Sequence, residues 1–553
     1  MNNSFLEIWR NSFLQRLIRN KIFENTTILA SIEYLNQNKR CFDKLNTNSQ
    51  DINIIAVVQN ETCQSIDLEY DPSKLFSVTN IQIPFHSFSI VYQYDHITTL
   101  SITQFDSKDH TLMFPPTLEH LFIGEKLSFP IKKGQPFPLN SRLKSLDPGY
   151  LFKGPIEKDS LPESLTLLRL GASFHSFDPN VLPPNLVSLR LPYSVDNYKE
   201  ISEIYTLSNN IQNLEISFFM ALNISSLPQQ LKKLFAKRIY RDMSIGYLPK
   251  TLKELVLLDS NFPTPLLAPG VFHNGLTKIH FYNNSNFELV PGSLPSTLTD
   301  FKVSTNPSKP FIPGVLPPSL LHLNLYSYNH LLNKDILPRN LKTLKIPSYN
   351  QTLKCGDIPG TVHTLEFNYI PSPGCDNNGI IPNSVTSLTL PQHWTHSIPL
   401  KPGFLPSSLK HLALCMMRYP HPLEKDVIPS SVESLDLLMF YDGNSVNIHI
   451  PPSVTKLNYG SNISPGELFA HNTNITNLTI SARFSFLSPP HVIIPKGVVK
   501  LKIEDVRSLH NTAIPPSVTD ISFTKDNVPF HLLPKSLKTL RINGVLELPT
   551  KVN

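Results

Sequence analysis

One short phrase recurs along most of the chain and limits what the chain can fold into. Its form is Leu/Ile-Pro-x-Ser/Thr/Asn-Leu/Val-x-x-Leu-x-Leu/Ile, and from Leu294 to Ile450 successive copies begin 22, 21, 21, 23, 24, 23 and 22 residues apart. A phrase repeated at one fixed period is the signature of a repeat architecture in which stacked units share a core. We therefore expect the 553 residues to form one array of about twenty units rather than several unrelated domains.

The apolar spacing within the phrase predicts a short strand. In Leu-x-x-Leu-x-Leu the last two apolar residues alternate with a polar one, which is the period of a β-strand with one face turned inward. Roughly fifteen residues per unit remain for the return path, and they contain proline, so they are expected to be extended rather than helical. The predicted fold is mainly β, with the short strands side by side in one long parallel sheet.

The proline and glycine contents agree with this architecture and exclude others. Proline makes up 50 residues and glycine only 20. Frequent proline excludes a largely helical protein, because each internal proline removes a helix hydrogen bond, and scarce glycine excludes collagen. Pro-Gly pairs precede many copies, as at Pro291-Gly292 and Pro313-Gly314, and suit a type II turn with glycine at positive φ.

A column of short polar residues lies two positions after the proline. We expect these side chains to be structural, satisfying backbone N–H groups of the turn as Asx- or Ser/Thr-type turns do. The column includes Ser164, Asn185, Thr251, Thr297, Ser319, Asn340, Thr361, Ser384, Ser408, Ser431, Ser453, Ser517 and Ser536.

The repeats resemble those of a known family. Segments such as FELVPGSLPSTLTDFKV, KPFIPGVLPPSLLHLNL and HSIPLKPGFLPSSLKHLAL are similar to FNIP repeats, which are related to leucine-rich repeats. The resemblance covers roughly residues 93–545. It implies a leucine-rich-repeat-like solenoid with a binding role and implies no reaction or cofactor.

The ends of the chain depart from the repeat and set the expected domain boundaries. Residues 1–50 are expected to be a helical N-terminal segment, 51–92 irregular leading strands, 93–545 the solenoid and 546–553 a C-terminal tail. In the first segment Trp9, Phe13 and Ile18 belong to an apolar stripe at helical spacing, with arginines beside it.

Three interpretations of this N-terminal helix stay open. It is a cap over the first strand of the solenoid, an F-box-like segment that recruits a ubiquitin-ligase scaffold, or a calmodulin-type target with bulky anchors. The F-box interpretation follows from the resemblance, because some FNIP-repeat proteins carry an F-box.

The three x residues of Leu-x-x-Leu-x-Leu point away from the core and form an open face that is rich in lysine. Cations outnumber carboxylates at these positions, so the face is a candidate docking surface for an acidic protein partner. Nucleic acid is disfavoured because few stacking aromatics and no dense charge accompany the lysines. The candidate interaction residues are Lys253, Lys278, Lys302, Lys342, Lys345, Lys410, Lys456, Lys500 and Lys502.

Motifs for catalysis, export and membrane insertion are not found in the sequence. It lacks the kinase, Walker A, nucleophile-elbow and zinc-helix signatures, so we expect a non-catalytic protein without cofactor or metal. The five cysteines are scattered, arginines interrupt the first twenty residues, and no long apolar run occurs. These features favour an intracellular, cytoplasmic setting and exclude a membrane-spanning helix.

Overall fold

The computed structural model describes most of the repeated part of the chain. It describes residues 26–31, 52–57, 80–83, 98–102, 113–124, 130–171, 179–191, 210–217, 227–237, 245–260, 266–283, 287–307, 309–367, 379–390, 399–415, 421–438, 448–460, 474–480, 494–504, 514–524, 532–542 and 545–547. These residues fall into two compact units. Unit 1 comprises Met1–Arg238 with Pro249–Leu252, and unit 2 comprises Ile239–Leu248 with Lys253–Asn553.

The described part of unit 1 is a parallel sheet of ten short strands, each paired with the next along the chain. A short 3-10 helix, Pro179–Val181, precedes β8. The strands are β1 Thr26–Ser31, β2 Ile52–Val57, β3 Asn80–Ile83, β4 Thr99–Ile102, β5 His120–Ile123, β6 Ser145–Asp147, β7 Leu167–Arg169, β8 Ser188–Arg190, β9 Asn213–Ser217 and β10 Lys233–Lys237.

Unit 2 repeats the same arrangement over a longer stretch. Strands β12 and β14 form a separate two-stranded sheet, and β27 pairs antiparallel with β26; the others pair in parallel in chain order. The strands are β11 Glu254–Leu258, β12 Leu266–Leu267, β13 Lys278–Tyr282, β14 Glu288–Leu289, β15 Asp300–Val303, β16 His322–Leu325, β17 Thr343–Ile346, β18 Thr364–Phe367, β19 Ser387–Leu390, β20 His411–Leu414, β21 Ser434–Leu437, β22 Lys456–Tyr459, β23 Asn477–Ile480, β24 Lys500–Ile503, β25 Asp520–Phe523, β26 Thr539–Ile542 and β27 Val545–Glu547.

The register places equivalent residues of successive repeats side by side, which confirms the predicted parallel β-solenoid. Leu323 of β16 aligns with Leu344 of β17, and Leu344 with Leu365 of β18. All three are fully buried, as are Leu341 and Ile346, which complete the Leu-x-x-Leu-x-Leu set of the middle repeat. The core is therefore built of apolar rows that run across the strands, each side chain packing on its counterparts one repeat away.

The phrase before each strand forms a tight turn. The backbone N–H of Leu298 donates to the carbonyl of Pro295, 3.1 Å away, and Leu320 and Pro317 repeat the bond at the same distance. Proline stands at the first position of this turn, ahead of the strand, where no sheet N–H is required of it.

The Pro-Gly pairs form the type of turn that the sequence predicted. Gly292 has φ +87°, Gly314 has the same value, and the N–H of Ser293 donates to the carbonyl of Val290 at 2.9 Å. This left-handed backbone conformation strains residues that carry a Cβ, which is why glycine follows the proline.

The hydroxyl column is structural, but its partners differ from those predicted. Ser384 Oγ donates to the carbonyl of Val362 at 2.7 Å, and Ser408 Oγ to that of Val385 at 2.8 Å. Each bond crosses to the preceding repeat instead of closing on an N–H of its own turn. The column therefore links neighbouring repeats.

Two further columns, one of tyrosines and one of asparagines, lie on the return path. Tyr328 and Tyr349 are fully buried, and their hydroxyls accept the backbone N–H groups of Phe311 and Leu332, each at 3.0 Å. Burial raises the pKa of Tyr328 to about 12. Beside it, Asn329 Oδ1 accepts the N–H of Asn350 at 3.0 Å.

The Ser-Tyr-Asn triplets that begin at Ser327 and Ser348 mark these columns in the sequence, 21 residues apart. They lie outside the Leu-Pro phrase, although their spacing is that of the repeat.

Both ends of the sheet extend beyond the predicted boundaries. Strand β1 lies within the segment 1–50 that was predicted to be helical, and β27 reaches into the predicted tail. Strands β2 and β3 lie within 51–92, where leading strands were expected. Strands β1 and β27 lack the Leu-Pro phrase, so the repeat pattern did not predict them. The predicted helix with Trp9, Phe13 and Ile18 lies outside the described residues.

Candidate protein-docking face

The outward side of the strands is formed by three positions in each repeat. In the repeat Leu341–Ile346 these are Lys342, Thr343 and Lys345, and we call them the first, second and third outward positions. Lys342 is exposed and the other two are half-buried, whereas the three apolar residues between them are buried. The pleat of the strand thus separates a core side from an open side.

All nine candidate lysines occupy outward positions in the structure. Lys302 and Lys345 are half-buried at third outward positions, and the other seven are exposed. The structure therefore places these side chains on the same side of the parallel strands, as the sequence predicted.

Four of the nine lysines are paired with carboxylates. Three pairs have short separations between Nζ and a carboxylate oxygen: Lys345–Glu366 at 3.2 Å, Lys410–Glu433 at 2.6 Å and Lys502–Glu504 at 3.1 Å. The hydrogen bond from Lys410, and then its charge, hold the pKa of Glu433 below its usual range. Such pairs reduce the charge that the face presents to a partner.

The register explains the pair in β17 and β18. Lys345 lies directly beside Glu366 on the neighbouring strand. Both residues stand at third outward positions 21 residues apart, so a lysine followed by a glutamate one period later was the sequence signal for this pair.

Five of the nine lysines make no ion pair within the described residues. They are Lys253, Lys278, Lys342, Lys456 and Lys500. These exposed ammonium groups carry the uncompensated charge among the candidate residues.

A buried histidine–aspartate pair occupies the face at β13 and β15. His280 Nε2 lies 3.3 Å from Asp300 Oδ1, and Lys302 Nζ lies 3.9 Å from Asp300 Oδ2. Burial favours the neutral carboxyl, but the interaction with the nearby His280, helped by Lys302 and His322, outweighs it and lowers the pKa of Asp300. The two paired atoms are shielded from solvent, so this cluster is packed rather than open to a ligand.

In unit 1 the third outward positions of four successive strands balance their charges. Asp147, Arg169, Arg190 and Glu215 follow one another, and Arg190 Nε lies 3.2 Å from Glu215 Oε1. Burial raises the pKa of Asp147 and of Glu215 against the lowering effect of the two arginines. This row of two cations and two carboxylates offers no surplus charge to an acidic partner.

The last strands of unit 2 have the opposite balance. Within β22 to β26 the outward positions hold five exposed cations and one carboxylate, Asp520. We call the five cations the cation ladder; they are Lys456, Lys500, Lys502, Lys538 and Arg541.

The described residues contain neither a metal-binding cluster nor a membrane-spanning helix. No group of three or more histidine, cysteine, aspartate or glutamate side chains in those ranges is arranged to bind a metal ion. In the same ranges no helix has the length and apolar character needed to cross a bilayer.

Comparison with known proteins agrees with the repeat architecture. The FNIP repeat family model matches residues 142–194, 307–349, 377–416 and 396–438, which together make up less than half of the chain. No curated protein shows significant similarity.

Among solved structures, the chain is similar to CroV588, a novel circular LRR protein. The two are 20% identical, with a TM-score of 0.51 over 86% of this chain and 80% of that one. At this identity the likeness concerns the fold alone. These segments match FNIP repeats, and the chain folds as a leucine-rich-repeat-like parallel β-solenoid.

Proposed function

We propose that the chain is a non-catalytic protein-interaction solenoid whose outward strand face docks an acidic protein. A repeat solenoid offers a long continuous surface, and its binding residues lie on rigid strands rather than on loops. The fold supports a role as an interaction scaffold; the identity of the face and the acidic nature of the partner are our proposal.

The observation that carries the proposal is the set of exposed, unpaired lysines on one side of the strands. Lys278, Lys342 and Lys456 project from this side, and none makes an ion pair within the described residues. Unpaired cations along one face attract an acidic partner and raise its association rate, and salt screens the attraction.

Affinity capture with charge-reversed chains tests this proposal. The face variant carries Lys278→Glu, Lys342→Glu and Lys456→Glu. The control carries Lys250→Glu, Lys496→Glu and Lys535→Glu, which change three exposed lysines of the turns before the strands. We expect partners bound by the wild type in a salt-sensitive way to be lost from the face variant and kept by the control. Retention of every partner by the face variant would rule out the basic face as the docking surface.

The N-terminal alternatives remain predictions from the sequence, because Trp9 and Phe13 lie outside the described residues. If the N-terminal helix recruits a ubiquitin-ligase scaffold or calmodulin, replacing both residues by alanine removes that partner in the same capture. It would leave face-bound partners in place. The cytoplasmic setting likewise remains an expectation from the cysteine content.

A further inference from the structure

The cation ladder, Lys456, Lys500, Lys502, Lys538 and Arg541, has a spacing that limits what can bind it. Lys456 lies on β22, Lys500 and Lys502 lie on β24, and Arg541 lies on β26, with Lys538 just before it. The strands between them present Asn477 and Thr479 on β23, and Asp520 and Ser522 on β25. Cations therefore occur on every second strand.

The register divides four of these cations between two neighbouring rows, two cations in each, and Lys538 stands at a first outward position beside them. At the second outward position Lys456 aligns with Asn477, and Asn477 with Lys500. This row then continues through Asp520 to Thr539. At the third, Thr479 aligns with Lys502, and the row continues through Ser522 to Arg541. Since neighbouring strands lie about 4.8 Å apart, Lys456 and Lys500 are separated by about 9.6 Å across the sheet, and so are Lys502 and Arg541. The two pairs together continue the spacing diagonally from β22 to β26.

A peptide in the polyproline II conformation has a matching period. It rises about 3.1 Å per residue with three residues per turn, so every third side chain lies on the same side, about 9.3 Å from the last. A peptide in the β conformation would place side chains on the same side about 6.6 Å apart, which does not match the spacing of the cations.

The residues between the cations also favour an extended peptide. Asn477, Thr479 and Ser522 have short side chains with hydrogen-bonding groups, so the surface is lower there than at the longer lysine side chains. An extended peptide has unpaired backbone N–H and C=O groups that can bond to these side chains, whereas a helix pairs its backbone groups with one another.

We propose that the cation ladder binds an extended, polyproline II-type segment of the partner with a carboxylate at every third residue. This rests on the proposed function and deepens it, because it assigns the docking to one end of unit 2 and states the pattern of the acidic sequence. Elsewhere on the face some lysines are held in ion pairs, as at Lys345–Glu366 and Lys410–Glu433, whereas of the ladder cations Lys502 is paired, with Glu504.

Fluorescence anisotropy with synthetic peptides tests the inference on the full chain. The probe is a labelled peptide of five Pro-Pro-Glu triplets, which places glutamate at the polyproline II period. The comparison peptide has the same composition with its five glutamates in one block. We expect the block peptide to bind about five-fold more weakly or worse, because it can face fewer of the separated cations at once.

Matched variants test the position of the site. Lys500→Glu with Lys538→Glu should weaken the spaced peptide about ten-fold or more, whereas Lys496→Glu with Lys535→Glu, in the turns of the same two repeats, should change it less than about two-fold. Asp520→Asn should tighten binding, because it removes the carboxylate between the cations. Unchanged thermal unfolding confirms that each variant is folded.

Three outcomes would overturn the inference. Equal binding of the spaced and block peptides would reject the periodic match, while the acidic-docking proposal would stand if Lys500→Glu with Lys538→Glu still abolished binding. An equal loss of peptide binding in the Lys500/Lys538 variant and in the Lys496/Lys535 variant would reject the ladder as the binding site. Equal or tighter binding of a single-stranded oligonucleotide would point to a nucleic acid instead of a protein.

Discussion

Single hydroxyl groups connect each repeat to the one before it. Ser408 Oγ donates to the carbonyl of Val385 at 2.8 Å, yet Ser431 Oγ, at the same position of the next repeat, is buried without a hydrogen-bond partner in the described ranges. A buried hydroxyl stabilises the fold only when it is paired, because it gives up its bonds to water on folding. The members of the column therefore contribute unequally to stability, although the same kind of short polar residue recurs in the sequence.

These two serines form a matched pair for a stability test. Ser408→Ala should lower the free energy of unfolding by about 1 kcal/mol, since it removes a hydrogen bond between repeats. Ser431→Ala should change it by about zero or increase it, because the lost hydroxyl has no partner. Urea unfolding of both variants measures the difference, and equal destabilisation would show that the hydroxyls do not act by linking repeats.

The sequence predicted a structural role for this column and missed its partner. The pattern Pro-x-Ser is local, so it suggested a bond within the turn, whereas the bond from Ser408 to Val385 crosses 23 residues. Finding it required the register of the stacked repeats, which follows from the core rather than from the turn.

Strands are defined by the apolar rows that they share. Leu344 is fully buried between Leu323 and Leu365 on the adjacent strands, so it belongs to a row and to a strand at once. A single strand of four residues cannot bury its own apolar face, and its stability comes from its neighbours.

Truncation of a row residue should therefore be costly. Leu344→Ala should reduce the free energy of unfolding by about 2 to 5 kcal/mol through lost burial and the cavity that remains. Lys342→Ala, two residues away on the exposed side, should stay within about 0.5 kcal/mol. Chemical unfolding gives both values, and a small effect at Leu344 would contradict the assigned strand register.

The repeat phrase predicted elements inside the repeat, and at its borders the leading strands were predicted but β1 and β27 were not. Strands such as β5, β17 and β21 follow the Leu-x-x-Leu-x-Leu phrase. Strand β1, by contrast, has the sequence TTILAS, without the proline turn. Strand β27 follows Asn543-Gly544, a pair typical of tight hairpins, and it covers the edge of β26.

For the molecule as a whole, the lysine face was predictable, but its effective charge was not. All nine candidate lysines lie on the outward side as expected, but pairs such as Lys410–Glu433 cancel charge locally. Their pairing depends on which residues become neighbours one repeat apart. The surplus of positive charge is concentrated in the cation ladder, where we propose that the acidic segment of the partner binds.

Lysine footprinting tests this account most directly. The full chain is acetylated with and without the peptide of Pro-Pro-Glu triplets, and the modification of each lysine is read by mass spectrometry. We predict that Lys456, Lys500 and Lys538 become protected. Lys496 and Lys535, exposed in the turns of the same repeats, should react as before. Protection of the turn lysines instead, or equal protection of both sets, would contradict binding on the outward strand face.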